Sequence, residues 1–540
     1  MLATAYKKFI NAITIVPGNK LLLIDKRLEK LINIVTQHKI KEATKIGNVT
    51  TICYLENTLP DFTEKIIICL TIPDNNTAKI ISKHMKEYPG HDFHIFFSPV
   101  RSMMVEKNIE YYGINCINRS YHFYDFNINL LPVDHDILSM EISSKMFNSW
   151  VIDDNTTIPY HIAIIIKTLG HIPKIQGVGK CSTIVASYLK KFNESNETIY
   201  NFKSKANIYI ESIFDNLILI DRQCDLITPL LSQTSYCGVV YESCPQSFNS
   251  VNHYTDNLYG ELCHMQFSDV GAHIHEILIK RKEAKDKKIT FSIPELTKFT
   301  EEIIRIPQDI IEYHYKMVTE CVKIGNYSYR KIESSILSSI SDYNIINEFI
   351  EEAISCKDQV TIYKILSLLS LTGNNINYRY CYDRLRKISG DNRYIILSGM
   401  HKFGFFKSFY DDFPTKITQN QIDNKIFVQK QMLNKFFDYY YPIVSKILPN
   451  FLANDMIEFT IHGEKPFCFI DANANVDTHK KKKVPVKENI LIMFIGGITY
   501  DEIQEIIEMS KKKKYANKKI TIATTSIINS TILVSSFIDL

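Results

Sequence analysis

The sequence predicts an α/β protein that carries a long, mainly helical insertion. Three observations predict this fold class. Short, continuous apolar runs alternate with helical periodicity over residues 1–130, and a second pattern of this kind begins near residue 131 and breaks off. Its apolar runs return only after residue 487. Between the two parts, from about residue 252 to about residue 449, the apolar periodicity is helical almost throughout.

Four apolar runs in the first 130 residues are candidate strands: KLLLID at residues 20–25, then TTICYLE, KIIICLTI and FHIFFSP. Each is followed by a segment with mixed helical period, such as residues 75–88. Apolar runs that are continuous rather than alternating are typical of strands buried on both faces. Residues 1–130 are therefore predicted to form an N-terminal α/β domain, a parallel sheet covered by helices on both sides.

The second α/β pattern contains a helix around residues 160–169 and a strand at residues 217–220. Thr228 and Pro229 then predict the start of a helix, because threonine is a favoured N-cap and proline suits the first helical position. Strand patterns reappear in ENILIMFIGG and KKITIATTS. Two strands alone make no stable sheet, so we expect this C-terminal pair to complete the sheet begun by residues 217–220.

This arrangement predicts three domains. The first covers residues 1–130. The central α/β domain is discontinuous and covers residues 131–251 and 450–540. Residues 252–449 form the helical domain inserted within it.

Composition excludes several classes of protein. Of the 540 residues, 45% are hydrophobic and 23% are charged, as in ordinary globular proteins. The formal net charge of +4 is too small to indicate a nucleic-acid partner. The twelve cysteines include no C-x-x-C pair, which predicts reduced thiols in a cytosolic protein rather than zinc sites or disulfides. No apolar run approaches the roughly 20 residues that span a bilayer.

The segment DRQCD at the end of the predicted strand raises the question of catalysis, because α/β sheets place their chemistry at strand ends. A phosphohydrolase with an aspartate nucleophile needs a second acid two positions on. Here the second acid is Asp225, four positions after Asp221, and the later strand ends in Gly496 and Gly497 without an acid. The structural interpretation is that Asp221, Arg222 and Asp225 form a partly buried ion-pair network that fixes the turn. The aspartate-dependent phosphohydrolase stays open as the alternative.

Two other motifs are weaker. GVGKCS at residues 177–182 lacks the first glycine of a phosphate-binding loop, whose position is occupied by Lys174, and the preceding segment is expected to be a helix rather than a strand. It is predicted to be an irregular turn. His273 and His275 are two positions apart on a probable helix and so face different directions. The sequence thus predicts no catalytic residue, no metal site and no cofactor, and the protein is not expected to be an enzyme.

The segment DRQCDLITPLLSQTSYCGVVYE at residues 221–242 resembles the D-R-x-x-D-x-x-T-P-L-L-x-x-x-T-Y-x-G-L-x-x-E signature of the SM proteins, cytosolic regulators of SNARE-driven membrane fusion. Within that family the chain is similar to the vacuolar protein sorting-associated protein 33 branch. FIGGITYDEI matches the motif F-x-G-G-x-T-x-x-E-I, and LLPVDHDILSME, GHIPKIQGVGKCS, FSDVG, SIPELTKF, YKILSLLSLTGN and IATTSIINS match further segments in order. The signature positions are Asp221, Arg222, Asp225, Thr228, Pro229, Gly238, Gly496 and Gly497. Departures are Val178, Ser235, Cys237 and Tyr241.

The resemblance implies a three-domain arch and a function without catalysis. A protein of this kind holds SNARE helices in register as a template. It works as a subunit of the HOPS and CORVET tethering complexes, through a large partner subunit of the class C vacuolar sorting set. It also implies peripheral association, through partners, with endosome, lysosome or vacuole membranes.

Two contact surfaces follow as hypotheses. Leu296, Phe299, Ile303 and Ile304 have the spacing of a helical apolar stripe and are the predicted SNARE-binding residues, on an arm of about residues 252–338. Packing within the arm's own hairpin is the alternative. In the part that covers about residues 339–449, YYYPIVSKI is similar to the branch's Y-x-P-L-x-x-R-L segment, which suggests Tyr441 and Ile443 as contacts of the tethering subunit. Core packing is equally compatible with these two residues.

Lysine runs at residues 480–483 and 511–514 are predicted to be solvated loops, with contacts to an anionic membrane as the alternative.

Overall fold

The computed structural model describes most of the chain. The described residues are 2–37, 39–98, 101–113, 120–126, 128, 130–134, 137–142, 144, 147–148, 157–167, 169–202, 213–245, 256–286, 306–324, 327–337, 343–355, 358–372, 390–406, 442–453, 465–470 and 487–538. Within these ranges, no helix is both long and apolar enough to cross a membrane.

The N-terminal part forms a five-stranded parallel sheet in the order β2-β1-β3-β4-β5. Its strands are β1 (Lys20–Ile24), β2 (Val49–Tyr54), β3 (Ile66–Thr71), β4 (Asp92–Phe97) and β5 (Ser120–Asp125). Its helices are α1 (Leu2–Thr14), α2 (Glu29–Val35), α3 (Ile40–Ile46), α4 (Asn75–Glu87) and α5 (Met103–Tyr112). One buried cluster joins the sheet to α1, α2 and α3 and another joins it to α4 and α5, so helices cover both faces as predicted.

The second sheet has seven strands in the order β10-β8-β9-β11-β12-β7-β6. They are β6 (Leu131–Asp134), β7 (Ile137–Ser139), β8 (Lys174–Val178), β9 (Asn216–Asp221), β10 (Phe467–Ile470), β11 (Glu488–Ile495) and β12 (Lys518–Thr524). The pairs β10 with β8 and β6 with β7 are antiparallel, and the other neighbours are parallel. Strand β11 lies beside β9, with Ile492 opposite Ile218, so the expected meeting of the two distant segments is observed.

Helices flank this sheet, and the described residues between β9 and β10 are also mainly helical. They are α6 (Thr157–Lys167), α7 (Lys180–Phe202), α8 (Tyr236–Ser243), α9 (Asn257–Leu262), α10 (Phe267–Asp286), α11 (Gln308–Ile324), α12 (Tyr327–Leu337), α13 (Tyr343–Ser355), α14 (Gln359–Thr372), α15 (Arg393–Phe403), α16 (Val444–Ala453), α17 (Tyr500–Ser510) and α18 (Ser530–Ile538). Helix α14 packs between other helices and α18, with Tyr363, Leu366 and Leu369 fully buried. The exact domain boundaries remain a prediction.

Two local predictions were wrong. Thr228 and Pro229 begin only a 3₁₀ turn, Thr228–Leu230, because Asp225 rather than Thr228 binds the free backbone N–H groups and Leu231 is already extended. The helix starts later, at Tyr236, with Ser235 as its N-cap. GVGKCS begins with the last two residues of strand β8 rather than after a helix, and the chain turns directly into α7 through Gly179. Strand β8 was not predicted because Gln176 and Gly177 interrupt its apolar run.

Candidate functional site

The carboxyl end of β9 is occupied by a buried polar network built from the signature residues. Asp221 is the last residue of the strand and is 1% exposed. Its Oδ2 accepts a hydrogen bond from the backbone N–H of Cys181 at 2.8 Å, and its Oδ1 accepts one from Gln223 at 3.1 Å. Burial raises the pKa of Asp221, and the hydrogen bonds from Gln223 and Cys181 oppose that rise.

The contact with Cys181 explains why GVGKCS is no phosphate loop. The segment does have the strand-turn-helix shape of one, and the N-terminus of α7 is where a phosphate would sit. Asp221 already fills that place. A side chain at Gly179 would put its Cβ 2.2 Å from the Asp221 Cβ, so the glycine permits this close approach. The carboxylate thus satisfies the helix terminus from within the chain.

Arg222 points the other way, across the sheet to the segment after β11. Its guanidinium forms a two-pronged ion pair with Glu502, with Nη1–Oε2 and Nη2–Oε1 distances of 2.8 and 2.9 Å. Both side chains are 1% exposed. Burial alone would lower the pKa of Arg222, but the Glu502 carboxylate raises it above its usual value. The network is therefore fully buried rather than partly buried as predicted. The carboxylate that pairs with Arg222 is Glu502, whereas Asp225 accepts from Arg222 through its backbone carbonyl.

Gly496 makes room for this arginine. Its φ of +101° lies in the left-handed region, and a Cβ at this position would lie 2.6 Å from the Arg222 Cβ and from the Phe147 ring. Gly497 follows with its carbonyl accepting a hydrogen bond from Arg222 Nη1 at 3.3 Å. The motif F-x-G-G thus has a steric cause at its first glycine, since a larger residue there would displace the arginine.

Asp225 fixes the turn and also binds the far end of the helical insertion. Its carboxylate accepts hydrogen bonds from the N–H groups of Ile227 and Thr228 and from the Thr228 hydroxyl, at 3.1, 3.0 and 2.6 Å. The backbone N–H of Ile443 donates to its Oδ2 at 3.0 Å. Pro229 is buried in the following turn. One carboxylate therefore joins the chain before the insertion to the chain that returns from it.

Two acids in α17 that sequence analysis missed complete the network. Glu502 caps the helix reciprocally with Thr499, and Asp501 accepts hydrogen bonds from the N–H groups of Thr234 and Ser235 at 2.7 and 3.0 Å. The Ser235 hydroxyl in turn accepts from the Gly238 N–H at 3.2 Å, so serine serves as the N-cap where the family has threonine. The T-x-x-E spacing in GITYDEI is a capping-box pattern and could have revealed Glu502.

The network continues into the helical arm through further buried groups. The Tyr236 hydroxyl lies 2.6 Å from Nδ1 of His314 on α11, and His314 Nε2 lies 2.9 Å from Asp256, the N-cap of α9. On the other side, Glu333 of α12 accepts from the N–H and hydroxyl of Ser232 at 2.7 and 2.9 Å. Hydrogen bonds thus connect α11 and α12 to the segment that follows β9, and α9 is connected to it through His314.

This arrangement suits a structural role rather than catalysis. Both Asp221 oxygens bind backbone N–H groups, and the side chain is inaccessible to a substrate. Burial also raises the pKa values of the neighbouring Cys181 and Cys224 thiols well above their usual range, so neither is an activated nucleophile. Metal-ligating side chains converge elsewhere, in the first sheet, where Asp92, His94 and His122 lie together.

The predicted contact residues fall in different places. Leu296, Phe299, Ile303 and Ile304 lie outside the described residues, as does Tyr441. Ile443 is described and is 6% exposed, within the core formed by α16, α17 and the second sheet. Its burial favours the core-packing alternative for that side chain.

Comparison with known proteins agrees with this fold. The model of the Sec1 family matches residues 20–536. Vacuolar protein sorting-associated protein 33A of Rattus norvegicus is 22% identical over 581 residues, covering 95% of this chain and 93% of the relative. The vacuolar protein-sorting-associated protein 33 homolog of Arabidopsis thaliana is 24% identical over 593 residues, with 99% and 96% covered.

Solved structures show the same fold. The SM protein Vps45 in complex with the Qa SNARE Tlg2 has a TM-score of 0.54 at 15% identity, with 100% of this chain and 97% of that chain covered. The Unc18–syntaxin 1 complex from Monosiga brevicollis has a TM-score of 0.54 at 12% identity, with 99% of each chain covered. These similarities confirm the predicted three-domain arch of two α/β domains and a helical insertion. Because the family match spans nearly the whole chain, this protein belongs to the Sec1 family of SM proteins.

Proposed function

We propose that this chain regulates SNARE-dependent membrane fusion in vacuolar protein sorting, by binding SNARE helices without catalysing a reaction. The observation that carries the proposal is the Sec1-family match over residues 20–536, joined with relatives named for vacuolar protein sorting. SM proteins with this fold have been solved in complex with a Qa SNARE and with syntaxin 1. The buried network supports the proposal, because it gives the helical insertion a fixed base.

The SNARE contact is proposed to lie on the arm that contains α10 and α11. These helices pack together, and Arg281 of α10 donates a hydrogen bond to Gln308 at the start of α11. Several large apolar side chains of these two helices are solvent-exposed: Ile279, Tyr315, Val322 and Ile324. Exposed apolar side chains on paired helices suit a partner helix with apolar anchors three and four residues apart. Leu296, Phe299, Ile303 and Ile304 belong to the chain between α10 and α11.

The test is equilibrium binding of the purified chain to an assembled bundle of fluorescently labelled SNARE helices. Phe299→Asp is expected to weaken binding by at least about tenfold, because a desolvated carboxylate replaces an apolar anchor. Ile470→Asp is the matched control, since Ile470 is 63% exposed on β10, outside the insertion. Both variants should melt like the parent chain. Unchanged affinity in Phe299→Asp would exclude this face, and lack of any SNARE binding by the parent chain would contradict the function itself.

A second proposed contact joins the chain to a tethering complex of the HOPS or CORVET type, through its large class C subunit. This contact would bring the protein to endosome, lysosome or vacuole membranes as a peripheral component. Tyr441 remains the proposed anchor. Its neighbour Ile443 is held by Asp225 and buried, so the segment after residue 441 is fixed to the network.

A pull-down from the native cell tests the tethering contact. The chain carrying Tyr441→Asp is expected to lose the large subunit while it retains SNARE binding. Normal recovery of that subunit would count against Tyr441, and absence of a tethering complex from the parent chain's eluate would count against the contact altogether.

Membrane contact through lysines is a further candidate, because Lys511 to Lys514 are all exposed at the end of α17. Polybasic segments bind anionic membranes by about 1 kcal/mol per lysine. Flotation with anionic liposomes should carry the parent chain upward and leave a variant with all four lysines changed to glutamine behind. Equal flotation of both proteins would exclude this surface as a membrane contact.

A phosphatase and ATPase screen of the purified chain tests the alternative that the protein is an aspartate-dependent hydrolase. We expect no turnover in this screen.

A further inference from the structure

The amino-terminal ends of β4 and β5 bring three metal-ligating side chains to one face of the first sheet. Asp92 and His94 are two residues apart on β4, so their side chains lie on the same face. His122 is the direct neighbour of His94 on β5, the edge strand. The ligand atoms of all three residues lie within 4.8 Å of one another.

Distances in this cluster match those between ligands of one metal ion. His94 Nε2 lies 3.0 Å from Asp92 Oδ2, and His122 Nε2 lies 3.8 Å from Asp92 Oδ1. Tetrahedral zinc has bonds of about 2.0–2.2 Å to nitrogen and carboxylate oxygen, which places its ligand atoms about 3.3 Å apart. These two distances lie on either side of that value, and the nitrogens of His94 and His122 lie within 4.8 Å of each other.

The surroundings of the cluster also suit a bound cation. Among the described residues, no donor lies within normal hydrogen-bond length of the buried Asp92 Oδ1, and Ser120, His94 and His122 are the polar side chains that act on this carboxylate. Tyr124 places its hydroxyl 3.2 Å from His94 Nδ1, where it can accept the ring N–H while Nε2 binds the metal. Ser120 lies 3.3 Å from His122 Nε2. Half of the His122 side chain is exposed, so the cluster is open to ions from solution.

In the described part of the chain, the Lys20 ammonium acts electrostatically on His94. Lys20 begins β1 on the same side of the sheet, but its ammonium donates to the carbonyls of Gly18 and Gly47 at 2.9 and 2.6 Å. Lys20 is therefore held by backbone groups and does not occupy the space between the three ligands.

We propose that Asp92, His94 and His122 bind one Zn²⁺ ion, which fastens the edge strand β5 to β4. Two imidazoles and one carboxylate form a ligand set that zinc prefers, whereas Mg²⁺ and Ca²⁺ prefer oxygen ligands throughout. Three protein ligands leave a fourth tetrahedral position for water. The alternative is that Asp92 and His94 form a hydrogen bond that stabilises the sheet without any metal.

Calorimetric titration of the chelator-treated full chain with zinc chloride tests the proposal. The parent chain is expected to bind one equivalent and to melt at a higher temperature with zinc, because a ligand that binds only the folded state stabilises it. His122→Ala and Asp92→Asn should each lose most of this binding and the upward shift. Tyr124→Phe should weaken zinc affinity by about tenfold, as expected for a group that orients a ligand.

Controls distinguish this site from adventitious binding. His91→Ala removes a nearby histidine outside the cluster, whose Nδ1 faces the Tyr88 carbonyl, and should bind zinc like the parent. Without zinc, His122→Ala should melt close to the parent, because His122 is half-exposed. Cobalt(II) should give the visible absorption of a four-coordinate site without a thiolate charge-transfer band. Absence of a stoichiometric site, full binding by His122→Ala, or a thiolate band would each overturn the proposal.

Discussion

The two sheets differ in how the arginine that follows a strand-end aspartate is paired with a carboxylate. Each ends a central strand with an aspartate and has an arginine close behind, Asp25 and Arg27 in the first sheet and Asp221 and Arg222 in the second. Arg27 folds back on Asp25, with an Nε–Oδ1 distance of 2.9 Å, and is 40% exposed. Arg222 instead pairs with Glu502, which is 280 residues away in the chain, and is fully buried.

The pKa values of Asp25 and Asp221 shift in opposite directions because their partners differ. Burial acts to raise the pKa of Asp25, but the hydrogen bonds and charge of Arg27 outweigh it and lower the pKa. Burial raises the pKa of Asp221 because the hydrogen bonds from Gln223 and Cys181 do not offset it. In the first sheet, local partners satisfy the strand end. In the second, the arginine is used to join two segments that the helical insertion separates.

The largest expected effect comes from the two arginines. Arg222→Met should lower the free energy of unfolding by about 3–5 kcal/mol, because it leaves the Glu502 carboxylate buried and unpaired. Arg27→Met should cost about 1 kcal/mol or less, since its ion pairs are partly solvated. Urea unfolding of both variants measures the difference. Equal losses would show that burial does not distinguish the two sites.

Alanine substitutions at Gly496 and Gly90 test how closely side chains crowd the backbone in the two domains. Gly496→Ala should destabilise the chain by about 3 kcal/mol, because it combines a left-handed backbone with overlap against Arg222. Gly90, which precedes β4 in the first domain, is the control. Its φ is +91°, yet a Cβ there would meet nothing within 4 Å, so Gly90→Ala should cost only about 1 kcal/mol. Thermal melts that rank these variants the other way would contradict the crowding around Arg222.

Two buried glutamates, Glu64 and Glu333, are expected to contribute to stability with opposite dependence on pH. Hydrogen bonds from Thr50 and Thr51 overcome burial and lower the pKa of Glu64, near β2, from 4.5 to about 2. Burial raises the pKa of Glu333 on α12 from 4.5 to about 7, with Lys364 opposing the rise. Glu64 thus contributes stability above its unfolded pKa, which is lost as pH falls from 4.5 through about 2. Glu333 contributes stability below 4.5, which is lost as pH rises through about 7.

Glutamine variants at the two positions measure these contributions. The stability of the parent relative to Glu333→Gln should fall by on the order of 2–3 kcal/mol between about pH 4.5 and pH 7. The stability of the parent relative to Glu64→Gln should fall as the pH is lowered below about 4.5. Urea midpoints across these ranges give both slopes, and slopes of the same sign would refute the contrast.

The sequence predicted the strands that are buried on both faces, because their apolar runs are unbroken. Strands β1, β3, β4, β9 and β11 belong to this class. Strand β5 was missed because Ser120, His122 and Asp125 break up its apolar residues. Strand β2, also an edge strand with alternating exposure, was predicted because residues 52–55 form a continuous apolar run. Strand β8 was missed because Gln176 and Gly177 interrupt it: the Gln176 amide donates to the Phe451 carbonyl, and Gly177 packs against the Leu219 backbone.

The candidate site was predictable in part. Asp221, Arg222 and Asp225 stand out by their position after an apolar strand, and all three are buried and hydrogen-bonded, but the carboxylate that pairs with Arg222 is Glu502 rather than Asp221 or Asp225. The partner of Arg222 was not predictable from local pattern, because Glu502 approaches only when β11 pairs with β9. The Asp92, His94 and His122 cluster was missed for a similar reason, since His122 comes from a different strand.

A double-mutant cycle on Arg222 and Glu502 tests most directly whether this buried pair joins the two halves of the central domain. Arg222→Met, Glu502→Met and the double variant would be unfolded in urea alongside the parent. We expect a coupling energy on the order of 3 kcal/mol, with the double variant more stable than either single variant because no buried charge remains unpaired. Additive losses, with no coupling between the two positions, would contradict it.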